Sequence, residues 1–62
     1  MTDKLLRLRV TQSITSLSKT SLYDAMKAGR FPQPVKIGSR AVAWRESDIM
    51  AWMDALEKRE AN

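Results

Sequence analysis

The chain has no cysteine and no histidine. The first absence excludes a disulfide framework and any thiolate metal site. The second removes the commonest general base and the commonest zinc ligand. No apolar run exceeds a few residues, so no stretch reads as a membrane span, and no signal-type apolar region opens the chain. Only seven carboxylates are present, most of them in one segment near the C-terminus. No triad or metal cluster can be assembled from such an inventory, so neither an enzyme nor a cofactor is expected. A cytoplasmic, reduced setting is the simplest reading. At 62 residues there is room for one domain with a small core.

What is plentiful is positive charge. Eleven lysines and arginines outnumber seven acids, for a net +4, and the sequence pI is ≈ 10.0. The distribution is uneven. Through Arg45 there are nine basic and two acidic residues, a net +7, whereas from Glu46 onward two basic residues face five acidic ones, a net −3. A basic body with an acidic last segment suits a polyanion on one face, although ordinary surface charge can produce the same numbers.

Leu6, Leu8 and Val10 alternate with Arg7 and Arg9, which reads as a short strand. From Val10 the period changes. Val10, Ile14 and Leu17 share one face of a short helix whose other positions, Thr11 among them, are polar. A second helix is better marked. Ser18 is a good N-cap for the N–H of Thr20 or Ser21, Leu22, Ala25 and Met26 form an apolar stripe, and Gly29 suits the left-handed position after the end. With about two residues between them, the helices form a helix-turn-helix.

Pro32 and Pro34 then hold Phe31 and Gln33 in extended geometry. Gly38-Ser39 fits a two-residue type II′ hairpin turn. That turn pairs Ile37 with Arg40, Val35 with Val42 and Gln33 with Trp44, and places Val35, Ile37, Val42 and Trp44 on one face. In the last segment Glu46 and Asp48 complement a helix N-terminus, and Lys58 and Arg59 its C-terminus. Ile49, Trp52, Met53 and Leu56 mark the buried face. Trp44, Trp52, Phe31, Ile49 and Leu56 are expected in the core, with Trp44 as a packing anchor rather than a base-stacking ring. Met50 and Met53 are expected to rim the core or, alternatively, to form a partner surface.

The expected fold is mostly α with a small β-hairpin. It is a winged helix-turn-helix in the order short strand, helix, turn, helix, hairpin wing, helix. One domain spans residues 5–59, and residues 1–4 and 60–62 are expected to be disordered tails.

The stretches LRLRV, SLSKTSLYDAMKAGRFPQPVKIGSRAVAW and RESDIMAWM, in that order and spacing, resemble the AlpA family of small phage and prophage regulators. The resemblance runs from about Leu5 to Leu56. The sequence departs from the family where Ser16 stands at a common glycine, and where Thr11 and Gln12 replace apolar residues. The family is similar to the MerR-like and excisionase-like winged helices. The resemblance implies a DNA-binding transcription regulator of a mobile element, with a DNA-reading helix from Lys19 to Ala28 and a wing from Lys36 to Arg40.

A helix N-terminus presents unpaired N–H groups, and here short hydroxyls and a lysine surround it. The expected DNA-binding residues are Ser18, Lys19, Thr20, Ser21, Tyr23, Lys27, Arg30, Lys36, Ser39 and Arg40. Lys27 and Arg30 suit phosphates. Tyr23 suits either a phosphate or a half-buried packing role beside Phe31. Asp24 can accept from a cytosine or pair with Lys27. Lys36 and Arg40 flank a small turn able to approach a groove closely, while Arg7 and Arg9 also fit a charged strand edge.

The leading functional expectation is sequence-specific DNA binding, with the helix in the major groove and the wing on the backbone or minor groove. An excisionase-type factor that bends DNA and directs an integrase is one alternative. A protein-interaction antirepressor that does not bind DNA is another. The partners considered are double-stranded DNA, an integrase or RNA polymerase, and a second copy on DNA, with no membrane.

Overall fold

The expected order of elements is the one observed. In the computed structural model, which describes residues 3–58 (the last two by backbone alone), a short strand β1 (Leu5–Leu6) precedes α1 (Leu8–Thr15) and α2 (Lys19–Lys27). The hairpin β2 (Val35–Lys36) and β3 (Val42–Arg45) follows, and α3 (Glu46–Lys58) comes last. The strands form one antiparallel sheet in the order β1-β3-β2. Three helices with this small sheet make a mostly helical, winged-helix-like domain. Arg59, placed in the last turn of α3 from sequence, and the expected tail 60–62 lie outside the described residues.

The core gathers around β3. Trp44 is fully buried and pairs with Leu6 across the β1–β3 ladder. Leu22 from α2, Ile49 from α3 and Phe31 from the link after α2 complete the buried cluster, and Trp52, Met26, Leu8 and Leu17 pack around it. Burial of the large rings is worth most in a domain this small. The Trp44 indole is not left unpaired, since its Nε1–H donates to the Pro32 carbonyl at 3.0 Å. This burial excludes Trp44 as a base-stacking ring. Among the described residues no buried side-chain nitrogen or oxygen lacks a partner.

Four expectations are corrected. The first strand stops at Leu6, and Leu8 and Val10 are helical. Leu-Arg alternation over so few residues fits either period, and tertiary packing chose helix for its second half. α1 also turns a different face inward. Val10 and Ile14 are 47% and 39% exposed, whereas Thr11 is fully buried. Its Oγ1 donates to the Arg7 carbonyl at 2.9 Å and more weakly to that of Leu6 at 3.4 Å, which makes the burial of a hydroxyl tolerable.

The hairpin is one residue out of the expected register. Val35 pairs with Ala43 and Lys36 with Val42, and the Ile37 N–H donates to Ala41 O at 2.9 Å, leaving Gly38, Ser39 and Arg40 as the loop. A II′ turn needs positive φ at Gly38, and Gly29 is the glycine that takes one. Because side chains alternate, the shift separates Val35 and Ile37 from the face that carries Trp44, and Ile37 is 43% exposed. Finally, Leu56 is exposed on α3 rather than in the core, and Met50 is exposed rather than at its rim.

The start of α3 is held by a residue set before the expected domain. The Asp3 carboxylate accepts from the Ser47 hydroxyl at 2.6 Å and from the Ser47 N–H at 3.1 Å, and the Glu46 N–H donates to the Lys4 carbonyl at 2.8 Å. Hydrogen bonding from the Ser47 hydroxyl, and secondarily from its N–H and the charge of Arg45, holds the Asp3 carboxyl below its ordinary value.

Candidate nucleic-acid interface

The turn into α2 is built by short polar side chains. α1 ends at Ser16, which adopts the left-handed conformation (φ 64°, ψ 19°), and its N–H donates to the Gln12 carbonyl at 2.7 Å. Glycine is cheaper at such a φ. That is the physical sense of serine being the departure at this position. The Leu17 N–H then donates to Thr15 Oγ1 at 3.3 Å, and the chain enters α2 through Ser18.

Ser18 caps the helix as expected. Its Oγ accepts from the Ser21 N–H at 3.1 Å and donates to Ser21 Oγ at 3.0 Å. The Ser18 hydroxyl is thus committed to the cap, whereas the Ser21 hydroxyl keeps its own proton to donate outward. Lys19 and Thr20 stand exposed beside this pair. The helix end therefore combines free backbone N–H groups, a donor hydroxyl and a cation, an arrangement suited to a phosphate or a base edge.

Leu22 anchors the inner face of α2, with Ala25 and Met26 half-buried next to it. The opposite face carries Thr20, Asp24 and Lys27, all exposed, at spacings of four and three residues. Tyr23 lies at the flank, half-buried. The rings that meet Phe31 are those of Trp44 and Trp52, with centroids 6.3 and 5.0 Å away. Among the described residues no ion pair joins Asp24 to Lys27.

The exit from α2 is a doubly bonded left-handed turn. Gly29 has φ 77°, its N–H donates to Met26 O at 3.1 Å, and the Arg30 N–H donates to Ala25 O at 2.9 Å. The link that follows is pinned by three side chains. Trp52 Nε1–H donates to Arg30 O at 3.0 Å, Trp44 Nε1–H to Pro32 O at 3.0 Å, and Gln33 Nε2–H to Met26 O at 3.1 Å. An open groove of about 380 Å³ lies where this link meets α3, with Arg30, Pro32, Asp48 and Trp52 among its walls.

The hairpin presents Lys36, Ser39 and Arg40 exposed around Gly38. Of the ten residues expected at the interface, Ser18 and Ser21 are joined directly. Among the described residues the side chains of the other eight make no hydrogen bond or ion pair and face outward, Tyr23 less fully than the rest. Nothing in the sequence pointed to the pinning roles of Gln33, Trp44 and Trp52, because their acceptors lie 7 to 22 residues away along the chain. Among the described residues no group of histidine, cysteine or carboxylates is arranged to hold a metal, and no helix is long and apolar enough to cross a membrane.

A tightly joined helix pair followed by a β-hairpin and a closing helix defines a winged-helix-like helix-turn-helix domain. The particular lineage follows from the sequence. Residues 4–58 match the family described as prophage CP4-57 regulatory protein (AlpA), and the chain belongs to that family of prophage regulators. The chain is also similar to the uncharacterized protein ORF88 of Enterobacteria phage P4, with 33% identity over 51 residues. That alignment takes in 82% of this chain and 58% of the phage protein, so the chain spans less than two thirds of that relative's length.

Proposed function

We propose that this protein is a sequence-specific, double-stranded DNA-binding transcription regulator of a phage or mobile element. α2 enters the major groove with its Ser18-capped end leading, and the hairpin rests on the backbone or minor groove. The observation that carries this reading is the unpaired state of Lys19, Lys27, Arg30, Lys36 and Arg40. All five cations stand exposed on α2, its exit and the hairpin, with no internal partner among the described residues.

Each element has a distinct task. Thr20 and the Ser21 hydroxyl, at the helix tip, read base edges by hydrogen bonding. Lys27 and Arg30 neutralise phosphates and set the register of the domain on the duplex. The small hairpin tip brings Lys36 and Arg40 close to the backbone without a bulky side chain in the way. Regulation then follows from occupancy of the site, and no cofactor or catalytic group is required.

The test is a salt titration on a duplex obtained by selection from random sequence. Five phosphate contacts predict a slope of log K against log salt of about −4 to −5. A slope near zero, or no binding at low salt, would overturn the assignment.

A further inference from the structure

We propose that Trp52, on α3, is a positioning residue for DNA binding and acts by holding the backbone of Arg30. The inference rests on the DNA-binding reading above and assigns to α3 a task beyond closing the core.

Arg30 is gripped from two sides. Its N–H is tied back to α2 through Ala25 O at 2.9 Å, and its carbonyl accepts from Trp52 Nε1 at 3.0 Å. The next residue, Phe31, is 4% exposed and meets the Trp52 ring edge-on at 5.0 Å. The peptide that carries the Arg30 side chain is therefore fixed, while the guanidinium itself is exposed and unpaired among the described residues. A long cationic side chain loses rotamer freedom when it contacts a phosphate. A rigid base lowers the additional cost of ordering the backbone on binding. Without the indole donor, the Arg30 carbonyl turns to water at the edge of the open groove, and one of the two hydrogen bonds that fix the Arg30 backbone is lost, which loosens the base of its side chain.

A merely structural role for the indole predicts something different. Trp52 would then matter through packing alone, and its loss would change stability without changing the number of phosphates the bound protein neutralises.

The experiment uses the full chain and the selected duplex. Trp52→Phe keeps a ring against Phe31 and removes the donor. The expected result is a loss of roughly three- to tenfold in affinity at low salt, the size of one hydrogen-bond-scale contact. The salt slope should become shallower by about one, as for Arg30→Ala. The double variant should match Arg30→Ala in both quantities, since the two changes remove the same contact. A wild-type slope in Trp52→Phe, or losses that add in the double variant, overturns the proposal while leaving DNA binding intact. Should Trp52→Phe lack a cooperative melt, a synthetic chain carrying 3-benzothienylalanine at position 52 replaces the N–H by sulfur within the same bicyclic shape, and the same two outcomes decide. Salt-independent behaviour of the wild type removes the DNA reading itself, and this inference with it.

Discussion

Thr11 is a polar residue in a fully buried place, and it shows how a hydroxyl can enter a small core. Its Oγ1 returns the hydrogen bond to the carbonyls one turn earlier, so no buried donor is left open. Exposed residues divide by what they can reach. Thr20 sits at the tip of α2 and Arg40 at the end of the hairpin loop. Arg40→Ala should weaken selected and random duplexes by similar factors and make the salt slope shallower by about one. Thr20→Ala should mainly reduce discrimination, by at most ~1–3 kcal/mol, with the slope nearly unchanged. Salt titrations of both variants on both duplexes measure this. An Arg40→Ala protein that loses discrimination while keeping its slope would make the hairpin the reader and α2 the clamp.

The elements are held mainly at their ends. α1 closes on a left-handed serine, whose φ of 64° is strained for a residue with a Cβ. Ser16→Gly should relieve up to about 1 kcal/mol of that strain, partly offset by the larger entropy of an unfolded glycine. The expected outcome is a modest rise in melting temperature with unchanged DNA affinity, and a lower melting temperature would show that the serine is favoured where it stands. α3 is held at its start by Asp3, whose carboxyl lies below its ordinary value chiefly because of the Ser47 hydroxyl. A depressed carboxyl contributes stability above its unfolded value of about 3.9, and that contribution disappears as the pH falls through the lower folded value. Wild type should therefore exceed Asp3→Ala in stability at neutral pH, and the two should converge in strong acid. Parallel denaturation curves with a constant gap across this range would contradict the Asp3–Ser47 contact.

For the molecule as a whole, the limiting fact is how few side chains make the core. Leu6, Leu22, Phe31, Trp44 and Ile49 form the buried cluster. Trp44 ties the central strand both to β1, where it pairs with Leu6, and to the link after α2, through its bond to Pro32 O. Trp44→Ala should cost roughly 3–5 kcal/mol, comparable to what a single core supplies in a domain below about 70 residues. Cooperative thermal unfolding should be lost, and DNA binding with it, as seen by calorimetry and by titration. Wild-type melting of this variant would mean that the sheet is not the centre of the fold. The net +7 of the segment through Arg45 is a property of the same scale. It attracts a polyanion to the body of the domain, while the net −3 of the segment that follows biases approach away from α3.

Local signals were sufficient for the order of elements, for the Ser18 cap, for the left-handed Gly29 and for the acidic first turn of α3. Each of these depends on residues within a few positions of one another, where spacing and backbone preference act directly. The match of residues 4–58 to the AlpA family was legible for the same reason, since it rests on short motifs in a set order. Other features depended on what lay opposite in space. β1 ends at Leu6 because a helix starting at Leu8 buries Thr11 and packs Leu8 against the core, and the hairpin pairs Val35 with Ala43 around a three-residue loop rather than through the two-residue turn expected from Gly38-Ser39. Val10, Ile14 and Leu56 fit an apolar period yet stand exposed, because a periodic pattern defines a stripe without saying how much of it the neighbours cover. The grip of Trp52 on Arg30 and of Asp3 on Ser47 joins residues 22 and 44 positions apart, a closeness that only the folded chain creates.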